Sequence, residues 1–266
     1  MRRLDDKARE HLRLAWDLAR RDLAAKYKRS LIGPAWLVLT PLCLLGIYWL
    51  VFGLVFKVQW RAPGGEAGVG FLLPFFVGLA VYLALSDVVN SSTTLFASKR
   101  TYVVKSPFPV WVLWVANLLR AGVHAGVAFA LVLVVALVQQ RLTLAGLAGA
   151  AVGLVLCVTF MAGISLLLAA LGPFIGDISD AMRLVLRVLF YATPITYPLS
   201  MVPLPYRDWM WLNPLTSMVE LLRSPIVFST MPAPLMVAGF ATGAALLAAV
   251  ALWIFSRLKG VISDVV

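Results

Sequence analysis

The chain has 266 residues, of which 62% are hydrophobic and only 13% charged, with a formal net charge of +11. A soluble domain carries roughly a quarter charged residues, and one core of this size cannot bury so much apolar surface, so lipid is the solvent for much of the chain. In a membrane protein a positive balance reflects lysine and arginine kept on the cytoplasmic side, which removes the nucleic-acid reading that +11 would carry in a soluble protein.

The first thirty residues predict an amphipathic helix. Leu12, Ala15, Trp16, Ala19, Leu23 and Tyr27 recur at helical spacing, and Arg13, Arg20, Arg21, Lys28 and Arg29 fill much of the remaining surface. Such a helix lies in the membrane interface with its cations among anionic headgroups. Gly33 and Pro34 then make a corner. The first long apolar run begins only after Ser30 and has no small-residue cleavage signal, so it is expected to stay in the mature protein as a span.

Six apolar segments follow, at about 35–56, 69–89, 108–138, 144–171, 181–199 and 233–255. A helix needs roughly 20 residues to cross the hydrocarbon. The fifth segment fits least well, with Arg183 and Arg187 at its start and Pro194 and Pro198 near its end. Charge supports it: with six spans and a cytoplasmic N-terminus, seventeen lysines and arginines fall inside, five outside, and Arg120 within a span. The expectation is an all-α membrane protein, one transmembrane domain over 1–266, with both termini cytoplasmic.

The connections carry their own signals. Pro63–Gly70 is a Gly-rich external loop without the lysine and hydroxyl of a phosphate loop. Residues 90–103 predict a short cytoplasmic helix with a basic end at Lys99 and Arg100. Arg120 and His124 share one face of the third span, and no carboxylate stands clearly at membrane depth, so structural pairing with polar or backbone groups is expected there. Asp177, Asp180, Arg183 and Arg187 read as local pairing at a helix start. GxxxG occurs at Gly122/Gly126, Gly149/Gly153 and Gly239/Gly243, which supports close helix packing.

Eight of the fifteen prolines fall within 194–234. Proline breaks helices, and broken helices at membrane depth survive only against protein or water. Two short re-entrant helices are expected over 198–227, between the fifth and sixth spans. Tyr48, Trp49, Phe52, Phe56, Tyr191 and Tyr197 stand near the external ends of spans. Cys43 and Cys157 lie in apolar segments without metal-ligand spacing. No nucleotide-binding, metalloprotease or nucleophile-elbow motif is present, so the chain is expected to be no enzyme and to hold no cofactor or metal.

Six stretches together carry a resemblance: "RRDLAAKYKRSLIGPAW", "VFGLVFKVQW", "YVVKSPFPVWVL", "LGPFIGDISD", "TPITYPLSMVP" and "WLNPLTSMVELLRS". In this order they resemble the membrane subunits of ABC transporters of the ABC-2 type, closest to the branch exporting bacterial O-antigen, capsule and teichoic acid. The resemblance covers nearly the whole chain. It implies a homodimer of this chain in a bacterial inner membrane and two copies of a cytoplasmic ATPase subunit, on which ATP and Mg are expected. A lipid-linked polysaccharide is the implied substrate, membrane lipid a further partner, and nucleic acid none.

Residue by residue, the resemblance implies a coupling helix at 90–103 and an interface helix that dock on the ATPase, through Ser92, Thr94, Phe96, Lys99, Arg100, Arg21 and Lys28. Tyr48, Trp49, Phe52 and Tyr191 become candidates for stacking on sugars. Pro198, Asn213, Pro214, Glu220 and Arg223 belong to the external gate helices. Gly176 stands where an arginine often precedes the aspartate, so no salt bridge carries over to Asp177. An ABC-2 exporter of drugs or lipids is the alternative, and a non-ABC channel or assembly factor the next.

Overall fold

A computed structural model describes residues 2–28, 30–60, 70–105 and 109–265. The loop read at Pro63–Gly70 lies, apart from Gly70, outside them. Among the described residues there are helices and connections only. Helix α1 (Arg2–Tyr27) comes first. A corner follows at Gly33, whose φ of 62° lies in the left-handed region that glycine adopts without penalty. Pro34 then opens a single 3₁₀ turn into α2 (Trp36–Tyr48), which continues as a π-helical turn over Trp49–Val55.

Next come α3 (Leu72–Thr93), α4 (Leu95–Ser98), α5 (Arg100–Lys105) and α6 (Trp111–Val138). After them stand α7 (Leu144–Leu171), α8 (Ile178–Ala192), α9 (Tyr206–Trp209), α10 (Pro214–Phe228), α11 (Pro234–Leu258) and α12 (Ile262–Val265). Among the described residues five stretches are long and apolar enough to cross a membrane: Gly33–Val55, α3, α6, α7 and α11. The fifth expected segment is instead the 15-residue α8, which ends at Ala192 because Pro194 follows. At a 1.5 Å rise it reaches about 22 Å, short of a ~30 Å hydrocarbon core.

Helix α3 is the centre of the bundle. It is buried along most of its length, from Leu73 to Thr93, and packs against α6, α7, α8 and α10. It also runs four residues past the expected boundary at 89. Residues 90–93 therefore belong to α3, and the expected cytoplasmic helix of 90–103 is divided between the end of α3, α4 and α5.

Helix α7 packs along α11 on one side and α10 on the other. Of the three GxxxG pairs, only Gly149/Gly153 makes a close helix approach within the chain. A Cβ on Gly153 would lie 2.6 Å from the Leu221 carbonyl of α10, whereas Gly122, Gly126, Gly239 and Gly243 face open space.

Helix α1 does more than lie on a surface. Ala15, Leu18 and Ala19 are buried, and α1 is docked along the first half of α6, with His11 edge-on to Trp111 at 5.7 Å. Alanines at the contact let the two helices approach. Leu12 and Trp16, from the same expected apolar face, remain half exposed.

Candidate functional site

The chain offers three functional regions: a polar network at the end of the bundle that carries α1, an aromatic cleft, and a broken segment at the opposite end.

The network starts on Asp87, six residues before the end of α3. Arg120 Nη1 donates to both Asp87 oxygens, at 3.3 and 3.2 Å, and His124 Nδ1 stands 2.9 Å from Oδ2. Here the sequence reading is corrected. It expected polar or backbone partners for the third span because no carboxylate stood clearly at membrane depth. Asp87, near the end of the second expected span, supplies that carboxylate and pairs the Arg120–His124 face. That is what a charge in a span requires.

The network continues in both directions. Arg120 Nη2 donates to Asn117 Oδ1 at 3.3 Å, Asn117 Nδ2 to Ser92 Oγ at 3.2 Å, and Ser92 Oγ meets Ser165 Oγ of α7 at 2.7 Å. On the other side the Tyr27 hydroxyl lies 3.5 Å from His124 Nε2. Burial, and secondarily the Asp87 charge, push the Tyr27 phenol above its ordinary range, so it keeps its proton at neutral pH. The His124 ring thus stands between the Tyr27 hydroxyl and the Asp87 carboxylate. Polar contacts thus connect α1, α6, α3 and α7.

A second tie holds α1. Lys99 Nζ lies 2.5 Å from Asp22 Oδ2, between the α4–α5 turn and the last third of α1. Of the residues expected to dock on an ATPase, Ser92 and Phe96 are buried inside the bundle and Lys99 is engaged by Asp22. Thr94, Arg100, Arg21 and Lys28 are exposed.

The aromatic cleft lies between α2, α3 and α8. It is about 240 Å³ and is lined by Tyr48, Tyr82, Arg187, Phe190 and Tyr191 over a floor of Leu44, Leu79 and Leu83. Tyr48 packs 5.0 Å from Phe75 and 5.8 Å from Phe190, and Tyr82 stands edge-on to Phe190 at 4.8 Å. Of the four expected aromatics, Tyr48 and Tyr191 enter the cleft. Phe52 stacks instead on Phe71, and Trp49 lies outside the lining, half exposed. The sequence reading missed Tyr82 and Phe190 as partners of Tyr48 and took Arg187 for a helix-start charge. Arg187 and Tyr191 are four apart on α8, a spacing that could have joined them.

The broken segment is organised by Arg223, which is fully buried in α10. Its Nε donates to the Pro74 carbonyl at 3.0 Å, and Nη1 donates to the Pro194 carbonyl at 2.8 Å and to Glu220 Oε1 at 2.7 Å. The guanidinium lies 4.3 Å from the centre of a Trp60 ring. One planar guanidinium thus serves the Pro194 carbonyl, in the break after α8, and the Pro74 carbonyl, in the first turn of α3. Asn213 caps α10 by accepting from Leu215 N at 3.0 Å while donating to Thr193 Oγ1 at 2.8 Å. Pro214 follows at the first helical position, where its missing N–H has no consequence. Pro198 is buried just before the turn Leu199–Met201. Asp177 stands at the N-cap of α8 without a capping bond, and Asp180 pairs with Arg183.

The pattern that defines ABC-2 type transporters matches residues 13–227 of this chain. Among curated relatives, the O-antigen export system permease protein RfbA of Klebsiella pneumoniae is 28% identical over 247 residues, covering 91% of this chain and 90% of the relative. A protein of the same name from Myxococcus xanthus is 26% identical over 70% of this chain and 68% of its own length. The polysialic acid transport protein KpsM of Escherichia coli is 22% identical over 78% of each.

Proposed function

We propose, from the premise that this chain belongs to the ABC-2 type transporter family, that it is the membrane-spanning permease subunit of an exporter of lipid-linked polysaccharide. The cargo class is of the O-antigen, capsule or teichoic-acid type, and the membrane is a bacterial inner membrane. Relatives named for O-antigen export and polysialic acid transport support the cargo class. The aromatic cleft of Tyr48, Tyr82, Phe190 and Tyr191 is the observation that carries the reading. Aromatic faces accept the C–H faces of sugar rings, and three phenol hydroxyls with one guanidinium supply polar contacts of the kind that orient a glycan.

The chain acts as one half of a homodimer, with two copies of a cytoplasmic ATPase that bind ATP and Mg. The basic end that carries α1 and the α4–α5 turn faces the cytoplasm. In this arrangement α8 and the residues up to Pro198 complete a sixth crossing. The segment from Pro198 through α10 forms the external gate, held by Asn213, Pro214, Glu220 and Arg223. Thr94 before α4 and Arg100 at the start of α5, with Arg21 and Lys28 on α1, face the ATPase; Ser92 and Phe96 brace this segment from inside. Closure of the ATPase moves the turn, and the Lys99–Asp22 pair carries the motion to α1.

Reconstitution with the partner ATPase in vesicles tests the reading. Export of a lipid-linked glycan needs both proteins, and Tyr191→Ala and Arg187→Ala lower export while ATP hydrolysis continues. Normal glycan export by both variants would remove the cleft from the cargo path.

A further inference from the structure

A second cavity, of about 190 Å³, lies between the last turn of α1, the first turns of α2, the second half of α3 and the middle of α6. Its polar lining is Lys26, Tyr27, Thr40, Asp87 and His124, with Trp36 at the same level. The remaining walls, Leu37, Pro41, Leu83, Ala125 and Ala128 among them, are apolar. Trp36 stands at the very start of a candidate span, the depth at which indoles sit among headgroups. One helical turn further along α2 and α6, on the same faces, are Leu44 and Leu131, which continue the apolar seam. The cavity is thus polar at headgroup depth and apolar beyond, which suits an amphiphile.

Charge selects the class. Asp87 is paired with Arg120 within the chain. Lys26 forms no ion pair among the described residues; its recorded contact is the Tyr27 ring, 5.7 Å away. The Thr40 hydroxyl likewise has no hydrogen-bond partner among the described residues. One uncompensated ammonium and one free hydroxyl at the mouth favour a phosphate diester carrying net negative charge.

We propose that this cavity binds the headgroup of an anionic bilayer phospholipid, with Lys26 as its charge partner and Thr40 as a hydrogen-bond donor. A lipid seated there bridges α1 to α2 beside the Tyr27–His124 contact and fixes α1 on the bundle. The site adjoins the aromatic cleft, with which it shares the Leu83 wall, and the proposal needs membrane insertion but not the cargo reading.

Native mass spectrometry of the full chain in mild detergent tests it, with phosphatidylglycerol and phosphatidylethanolamine added separately. Phosphatidylglycerol is expected to be retained on the unaltered chain, and its apparent affinity to fall on the order of tenfold in Lys26→Glu. Thr40→Val, which keeps volume and fold, lowers it by a smaller factor. Lys259→Glu, a charge reversal beyond α11, leaves it unchanged. Equal loss in Lys26→Glu and Lys259→Glu would overturn the site, as would equal retention of phosphatidylethanolamine. Displacement by polyprenyl phosphate at matched concentration would overturn it too, because the cavity would then belong to the cargo.

Discussion

Gly78 leaves the space into which the Arg223 guanidinium fits: a Cβ on residue 78 would lie 2.7 Å from Nη2 and 3.3 Å from Ile195 Cγ2. The absence of one side chain on α3 thus permits a fully buried charge on α10, 145 positions later in the chain. Gly78→Ala is expected to destabilise the protein by about 1–3 kcal/mol through overpacking. Arg223→Leu strands the Glu220 carboxylate and two carbonyls and costs more, roughly 3–5 kcal/mol. Thermal unfolding in detergent measures both, and a Gly78→Ala protein as stable as the parent would refute the fit.

The α7–α10 contact makes a contrast among glycines. Gly153→Ala pushes a methyl against the Leu221 carbonyl, which is backbone and cannot swing away, so a loss of about 1–3 kcal/mol is expected. Gly239→Ala, whose Cβ meets open space and which lies inside a helix, is expected to be neutral or to stabilise by up to about 1 kcal/mol. Equal melting temperatures for the two variants would show that α10 does not rest on Gly153.

Asp87 is expected to act as the keystone of its network. Asp87→Ala leaves Arg120 without a countercharge at membrane depth and destabilises by roughly 3 kcal/mol. Adding Arg120→Met to that variant is expected to recover part of the loss, because the unpaired charge goes with it. A double-mutant cycle on chemical unfolding reads the coupling, and purely additive losses would mean that the pair is independent.

The Lys99–Asp22 pair is partly exposed, so its contribution to stability is expected to be about 1 kcal/mol or less. Its effect on transport is expected to be larger. Lys99→Asp and Asp22→Lys each lower export per ATP hydrolysed, and the double exchange restores it. Failure of the exchanged pair to restore coupling would leave Lys99 as a direct contact of the ATPase.

Tyr191 and Tyr48 separate cargo contact from packing. Tyr191 is 73% exposed, and Tyr191→Ala is expected to lower glycan export several-fold with little change in melting temperature. Tyr48 is wedged between Phe75 and Phe190, so Tyr48→Ala lowers both, with about 3 kcal/mol lost from stability. Parallel export and melting measurements distinguish them.

Composition alone determined that lipid solvates this chain, because 62% hydrophobic residues exceed what one core can hide. Periodicity placed α1, and length and hydropathy placed the five long helices to within a few residues, because those signals are local. The proline run marked the broken region for the same reason. Tertiary structure decided what local signals do not contain. Asp87 lies inside the bundle because its partners Arg120 and His124 arrive from a helix more than thirty residues away. Of three equivalent glycine motifs, one packs against a neighbour, a choice made by where α10 lies. Arg223 reads only as a cation of the gate helices until Pro74 and Pro194 bring their carbonyls to it. A buried polar group takes its partners from wherever the fold supplies them, and sequence distance carries no record of that.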